Sequence, residues 1–191
     1  PHLRHPEVLR YFLVASHYRG PINYTLENLT QADATLCGLY NALRGVPDGE
    51  PGPDAQQWRE EFRAAMDDDF NTPKALAVLA GLARAINEAK AGGSGTCLIR
   101  AGELAAVFRE LAALLGICRL DPEQWFRLAV PGQQGHNGGL DDQFIDAAIA
   151  ARLAARKSRN FKEADRLRDE LSAAGVVLED KPDGTTMWRR G

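Results

Sequence analysis

Apolar residues recur along most of this chain at intervals of three and four, the period of amphipathic helices. Leu29, Ala32, Leu36, Leu39 and Leu43 form one stripe, and Trp58, Phe62 and Met66 a second. Leu76, Leu79, Leu82, Ala83 and Ile86 form a third, and Leu104, Val107, Phe108, Leu111 and Leu114 a fourth. A short apolar helix precedes them, with Pro6 at N1, then Val8, Leu9, Tyr11, Phe12 and Leu13, ending near Ser16. Punctuation sets the remaining boundaries. Thr25 caps the second helix and Gly45 ends it, Thr72 caps the fourth with Pro73 at N1, and Gly116 stops the fifth. Asp121-Pro122 opens a short sixth helix containing Trp125 and Phe126. Asp141 opens another, whose apolar face is Phe144, Ile145, Ala148, Ile149 and Leu153.

The pattern changes only over 151–190. There the chain reads as helix, turn, helix, a stop at Gly175, and a hairpin. Val176, Val177 and Leu178 supply one strand, Lys181-Pro182-Asp183-Gly184 the turn, and Thr185 to Arg189 the returning strand with Trp188. The expected fold class is therefore mainly α, a helical bundle followed by a small α+β C-terminal domain of two helices and a β-hairpin. Loops are expected at 46–53, rich in Pro and Gly, and at 91–96 (AGGSGT). The most linker-like stretch is 131–139 (PGQQGHNGG), where the domain boundary is placed.

Charge adds one asymmetry. The net charge of −3 does not suit a non-specific nucleic-acid binder. From Arg152 onward, however, ten Lys and Arg face seven Asp and Glu, so this segment carries +3 and the remainder −6. That is a hint of a polyanion partner at the C-terminal end, although charge alone favours an ordinary salt-bridged helix surface. The three cysteines, Cys37, Cys97 and Cys118, are too far apart for a CxxC zinc signature and odd in number for a disulfide framework; Cys37 and Cys118 read as small buried residues. No apolar run approaches a membrane span and no secretory segment is visible, so a cytoplasmic protein without membrane contact is expected. Pro1 enters at once into a helical pattern, the expectation for a piece of something longer.

Three features invite chemistry. His17-Tyr18-Arg19 crowds a cation and aromatic rings beside the Gly20-Pro21 turn, which suits phosphate and base contact or, alternatively, packing against the bundle with Arg19 at a helix end. Asp67-Asp68-Asp69 supplies carboxylates, but successive side chains diverge where a metal needs converging ligands, so no metal site is assigned. Gly92-Gly93-Ser94-Gly95 neither follows a strand nor fits GxxxxGK[ST], so no phosphate cradle is assigned either.

Three stretches in order, HPEVLRYFLVASHYRGPINYTLENL (5–29), AMDDDFNTPKAL (65–76) and ARKSRNFKEADRLRDEL…GVVLEDKPDGTTMWRR (155–190), resemble the C-terminal part of bacterial cysteinyl-tRNA synthetases, class I ligases. Between them, 44–57 and 89–103 look freely variable. The resemblance implies the end of a stem-contact region (1–24), a DALR-type helical bundle (25–130), a linker (131–140) and an anticodon-binding domain (141–191). It also implies a cysteine-specific tRNA as partner, with the bundle supporting the tRNA body and the C-terminal domain reading a GCA anticodon. ATP and zinc are expected in a catalytic half upstream of Pro1, so this chain alone should be inactive. A monomer is expected.

Carried over by position, the resemblance implies anticodon contacts for Arg156, Phe161, Asp165, Arg168, Asp180 and Trp188. Carboxylates would accept from base edges, Phe161 would stack on a base, and Trp188 would stack or pack. Lys157, Arg159, Lys162 and Arg166 would attract phosphate, and His17, Tyr18 and Arg19 would contact the tRNA body. On spacing alone, Asp165 and Arg168 equally form a salt bridge on a solvated face, and the whole chain could be a helical protein-interaction module with no RNA role. Three departures stand out: Asn160 for the usual aspartate, Gly20 for a common serine, and Met187 inserted between Thr186 and Trp188. An extra strand residue flips side chains to the other face unless a bulge absorbs it.

Overall fold

The computed structural model describes residues 3–128, 140–181 and 184–190. Linker residues 131–139 and the turn residues Pro182 and Asp183 lie outside them. The chain divides into two compact units, His5–Trp125 and a second made of Phe126–Gly191 with the N-terminal Pro1–Arg4.

The first unit is helical: α1 (Pro6–Val14), α2 (Leu26–Leu43), α3 (Ala55–Asp67), α4 (Thr72–Ala91) and α5 (Gly95–Leu114), with α6 (Pro122–Arg127) starting at its end. Its core takes the expected stripes. Leu36, Leu79, Leu82, Ile86 and Phe108 are fully buried, and the Tyr40 ring stacks on Trp125 at 4.4 Å. The Tyr40 hydroxyl donates to Glu7 Oε2 at 2.6 Å, and Arg119 N donates to Glu7 Oε1 at 3.1 Å, so the buried carboxylate ties α1 to α2 and the 117–120 loop. Thr25 caps α2, its Oγ1 accepting from Asn28 N at 3.1 Å.

Several expectations need correction. The cap of α4 is Asn71, whose Oδ1 accepts from Lys74 N at 3.2 Å, so Thr72 is already helical. Ser94 Oγ accepts from Cys97 N at 3.2 Å and starts α5 at Gly95, leaving little of the 91–96 loop. Leu114 is 72% exposed because α5 ends there, and Leu115 and Ile117 turn inward around Gly116 at φ +68°. A Cβ on Gly49 would stand 2.8 Å from the Gly102 carbonyl carbon, so the 46–53 loop lies directly on the α5 backbone.

The second unit pairs α7 (Asp142–Lys157) with α8 (Phe161–Ala173) and packs the hairpin β1 (Val176–Asp180) and β2 (Thr186–Arg190) against them. Ile145, Ile149, Leu171, Val176 and Trp188 form its core, while Phe144, expected there, is 51% exposed. Pairing is antiparallel and continuous from Val176 opposite Arg190 to Asp180 opposite Thr186. Met187 sits opposite Glu179 in regular register, so the additional residue needs no bulge, and Trp188 faces the core opposite Leu178.

Candidate nucleic-acid interface

Two surfaces gather the residues singled out above, one in each unit. In the second unit, α7 places Arg152 and Arg156 one turn apart on one face. Arg152 is only 5% exposed, and it grips Asp180 with both arms of its guanidinium: Nη1 to Oδ1 and Nη2 to Oδ2, each 2.8 Å. Thr186 donates to Oδ1 at 2.7 Å, and Arg156 Nη1 donates to Oδ2 at 3.0 Å. Four donors thus occupy a carboxylate with about four acceptor positions. The Arg152 fork, then Thr186, holds the Asp180 carboxyl far below the usual carboxylate range. In turn the carboxylate keeps Arg152 charged, with a weaker pull from Asp165.

Around this clamp lies an open face. Arg156 is half exposed, and it lines a surface cavity of about 360 Å³ with Leu153, Lys157, Asp180, Lys181 and Thr185. Asn160 caps α8, its Oδ1 accepting from Glu163 N at 3.3 Å, so asparagine performs the capping an aspartate would. That fixes Phe161 at N1 with its ring 61% exposed. Phe161, Asp165 and Arg168 fall at i, i+4 and i+7, one exposed stripe of α8, while Ala164 and Leu171 face the core. Among the described residues Asp165 and Arg168 form no ion pair with one another. Lys157, Arg159 and Lys162 are exposed at the α7–α8 turn and carry no ion pair among the described residues.

Two expected contacts fare differently. Trp188 is 3% exposed and its Nε1 donates to Asp146 Oδ1 at 2.7 Å. The guanidinium carbons of Arg127 and Arg190 lie 5.0 and 5.6 Å from its ring centroid. It packs, and a base has no ring face to stack on. Arg166, expected to attract phosphate, is spent on Glu163 at 2.7 Å and Glu170 at 2.9 Å along its own helix. These carboxylates neutralise it, and Glu163 is in turn held below its ordinary pKa by Arg166.

The first unit gathers His17, Tyr18 and Arg19 around one member of the aspartate triplet. Asp69 Oδ1 accepts from the Tyr18 hydroxyl at 2.8 Å and lies 3.2 Å from Arg19 Nη2, and His17 Nε2 stands 4.0 Å from Oδ2. Arg19 Nε also donates to the Tyr18 oxygen at 2.8 Å, and the His17 and Tyr18 rings stack at 5.0 Å. Asp69 reaches the loop because it and Phe70 take left-handed backbone, φ 53° and 51°, which L side chains seldom adopt. The same turn leaves Phe70 65% exposed. Tyr18 and Arg19 are themselves exposed, so the cluster is a built surface rather than a packed interior. Asp68, by contrast, stays local, 3.5 Å from Lys74 Nζ.

Residues that sequence reasoning left out are Arg152, Thr186, Asp69 and Phe70. Arg152 had a signal: it stands seven after Ile145 and three after Ile149, inside the buried stripe, where a lone arginine needs a buried partner.

Comparisons with known proteins add identity to this geometry. Residues 61–119 match the DALR domain family, and residues 141–189 match the cysteinyl-tRNA ligase anticodon binding domain. The cysteine–tRNA ligase of Thioalkalivibrio sulfidiphilus is 50% identical across 98% of this chain. Those of Pseudomonas aeruginosa and Alkalilimnicola ehrlichii are 49% identical across 97% and 96%. The chain spans 38–39% of the length of these relatives, matching their C-terminal part. With half its residues shared from end to end and both domain families in the expected order, the chain corresponds to the C-terminal part of the cysteine–tRNA ligases, a DALR domain followed by a cysteinyl-tRNA ligase anticodon binding domain.

Proposed function

We propose that this chain is the tRNA-binding portion of a cysteine–tRNA ligase, in which the second unit reads the anticodon and the first supports the tRNA body. The observation that carries this reading is the open face of α7 and α8. Arg156 on α7 and Phe161, Asp165 and Arg168 on α8 present an exposed cation, ring, acceptor and second cation, and Lys157, Arg159 and Lys162 nearby in the chain carry no ion pair among the described residues. Base-edge hydrogen bonds and ring stacking supply discrimination, and the cations supply phosphate attraction. Asp180 acts here as a positioning residue, since all four of its acceptor positions are used within the protein. His17, Tyr18, Arg19 and Phe70 offer the second contact surface, with Arg19's charge partly offset by Asp69. The helical-interaction alternative leaves the exposed Phe161 and its flanking charges without a use.

Attachment of cysteine to tRNA with ATP would require the part of the relatives that this chain does not span. Among the described residues no three His, Cys, Asp or Glu side chains converge as a zinc site needs. Nor is any described helix long and apolar enough to cross a membrane. Amide shift mapping with an RNA hairpin bearing a GCA loop tests the reading: perturbations should cluster over 153–168. Shifts confined to the buried α7–hairpin side, or spread evenly over both units, would contradict it.

A further inference from the structure

The second unit holds two arginines and one carboxylate where a single ion pair would satisfy the fold. Arg152 is buried and takes both carboxylate oxygens; Thr186 fills a third acceptor position. Arg156 is left one hydrogen bond on Oδ2, through one of its five N–H groups, and its side chain stays 49% exposed. We infer that Arg152 is the counter-ion that keeps Arg156 available to RNA. By neutralising Asp180 from beneath, it prevents the carboxylate from taking Arg156 as its own fork-to-fork partner, the geometry a lone Arg–carboxylate pair prefers. The Arg152–Asp180 pair sums to zero, so Arg156 meets the ligand as a net cation with donors to spare. Its place on the rim of the 360 Å³ cavity puts those donors where an unstacked nucleotide can reach them.

This inference rests on the RNA reading, and it makes Arg152 a positioning residue that touches no RNA itself. Its signature is suppression. Arg152→Met frees Asp180 to capture Arg156; removing the carboxylate as well, with Asp180→Asn, releases Arg156 again.

The test uses the full 191-residue chain and a fluorescein-labelled RNA hairpin with a GCA loop, read by anisotropy, with melting followed by circular dichroism. Arg156→Gln and Arg152→Met should each weaken binding about tenfold, the usual loss for one charged contact. In the Arg152→Met background, Arg156→Gln should cost under about twofold more, because the two changes remove the same contact. The Arg152→Met/Asp180→Asn double variant should return to within about threefold of the parent, and then lose about tenfold when Arg156→Gln is added. Should Arg152→Met fail to fold, the double variant carries the test alone, since it leaves no buried charge unpaired. A folded double variant that remains as weak as Arg156→Gln overturns the inference and makes Arg152 structural only. A parent chain that does not bind the hairpin at low salt overturns the RNA reading itself, a distinct result.

Discussion

The Nε1 of Trp188 on β2 donates to Oδ1 of Asp146 on α7 at 2.7 Å, so the one tryptophan of the second unit is fastened by its polar edge as well as buried by its faces. A buried indole normally needs such a partner. Trp188→Ala should lower the stability of the second unit by about 3–5 kcal/mol. Trp188→Phe, which fills most of the volume but leaves Asp146 without this donor, should cost about 1–2 kcal/mol. Thermal melts of the two variants check the order, and equal losses would show that the hydrogen bond contributes nothing.

Asp180 gives a pH dependence of known sign. The Arg152 fork, then Thr186, depresses its carboxyl pKa in the folded state. Its stabilisation is therefore fully present above the unfolded value of about 3.9 and is lost as pH falls below it. Melting temperature should drop between about pH 4 and pH 2, and the drop should be smaller in Asp180→Asn. At pH 7 that variant should already be less stable by about 2 kcal/mol, because Arg152 loses its charged partner inside the fold.

Phe161 separates binding from stability. With its ring 61% exposed at the first turn of α8, Phe161→Ala should leave the melt within about 0.5 kcal/mol of the parent. RNA affinity should fall by about 1–3 kcal/mol, the contribution of one stacked base. A destabilised variant with unchanged affinity would return Phe161 to a packing role.

Cations near one another should behave differently. Arg166 is paired with Glu163 and Glu170, whereas Lys157 and Arg159 are unpaired among the described residues. Arg166→Ala should leave the salt dependence of RNA binding unchanged. Lys157→Ala and Arg159→Ala should each reduce its logarithmic slope by about 0.7–0.9, the value for one phosphate contact. Equal effects from all three would mean that the helical pairs open on binding.

Phe70 carries a local strain that glycine would relieve. Its φ of 51° is left-handed, so Phe70→Gly should be neutral or stabilise the first unit by up to about 1 kcal/mol, as relieved strain offsets added chain entropy. Weaker binding of full-length tRNA, with hairpin binding unchanged, would assign the exposed ring to the tRNA body.

Periodicity made the helices and their buried faces legible, because Leu36, Leu79 and Phe108 need only the right spacing to find the core. Helix starts were less so: Asn71 and Thr72 both cap well, and only the carboxamide's reach to Lys74 N decides between them. The hairpin was legible from Gly175 and the 181–184 turn, but the facing of Trp188 was not, since register depends on both strands. Side-chain pairing was the least visible. The partner of Asp180, Arg152, stands twenty-eight positions earlier, and no local pattern links the two. Nothing in the aspartate triplet itself marks Asp69 as the partner of Tyr18, because a left-handed turn at 69–70 makes that contact.

The most direct test measures binding of this chain to cysteine tRNA and to the same tRNA with its anticodon bases exchanged, at two salt concentrations. A base-reading face predicts loss of about 1–3 kcal/mol for each exchanged base, with the preference persisting as salt rises. Equal affinity for both RNAs with a steep salt slope would mean that the α7–α8 face attracts phosphate without reading sequence, and would contradict anticodon recognition by Arg156, Phe161, Asp165 and Arg168.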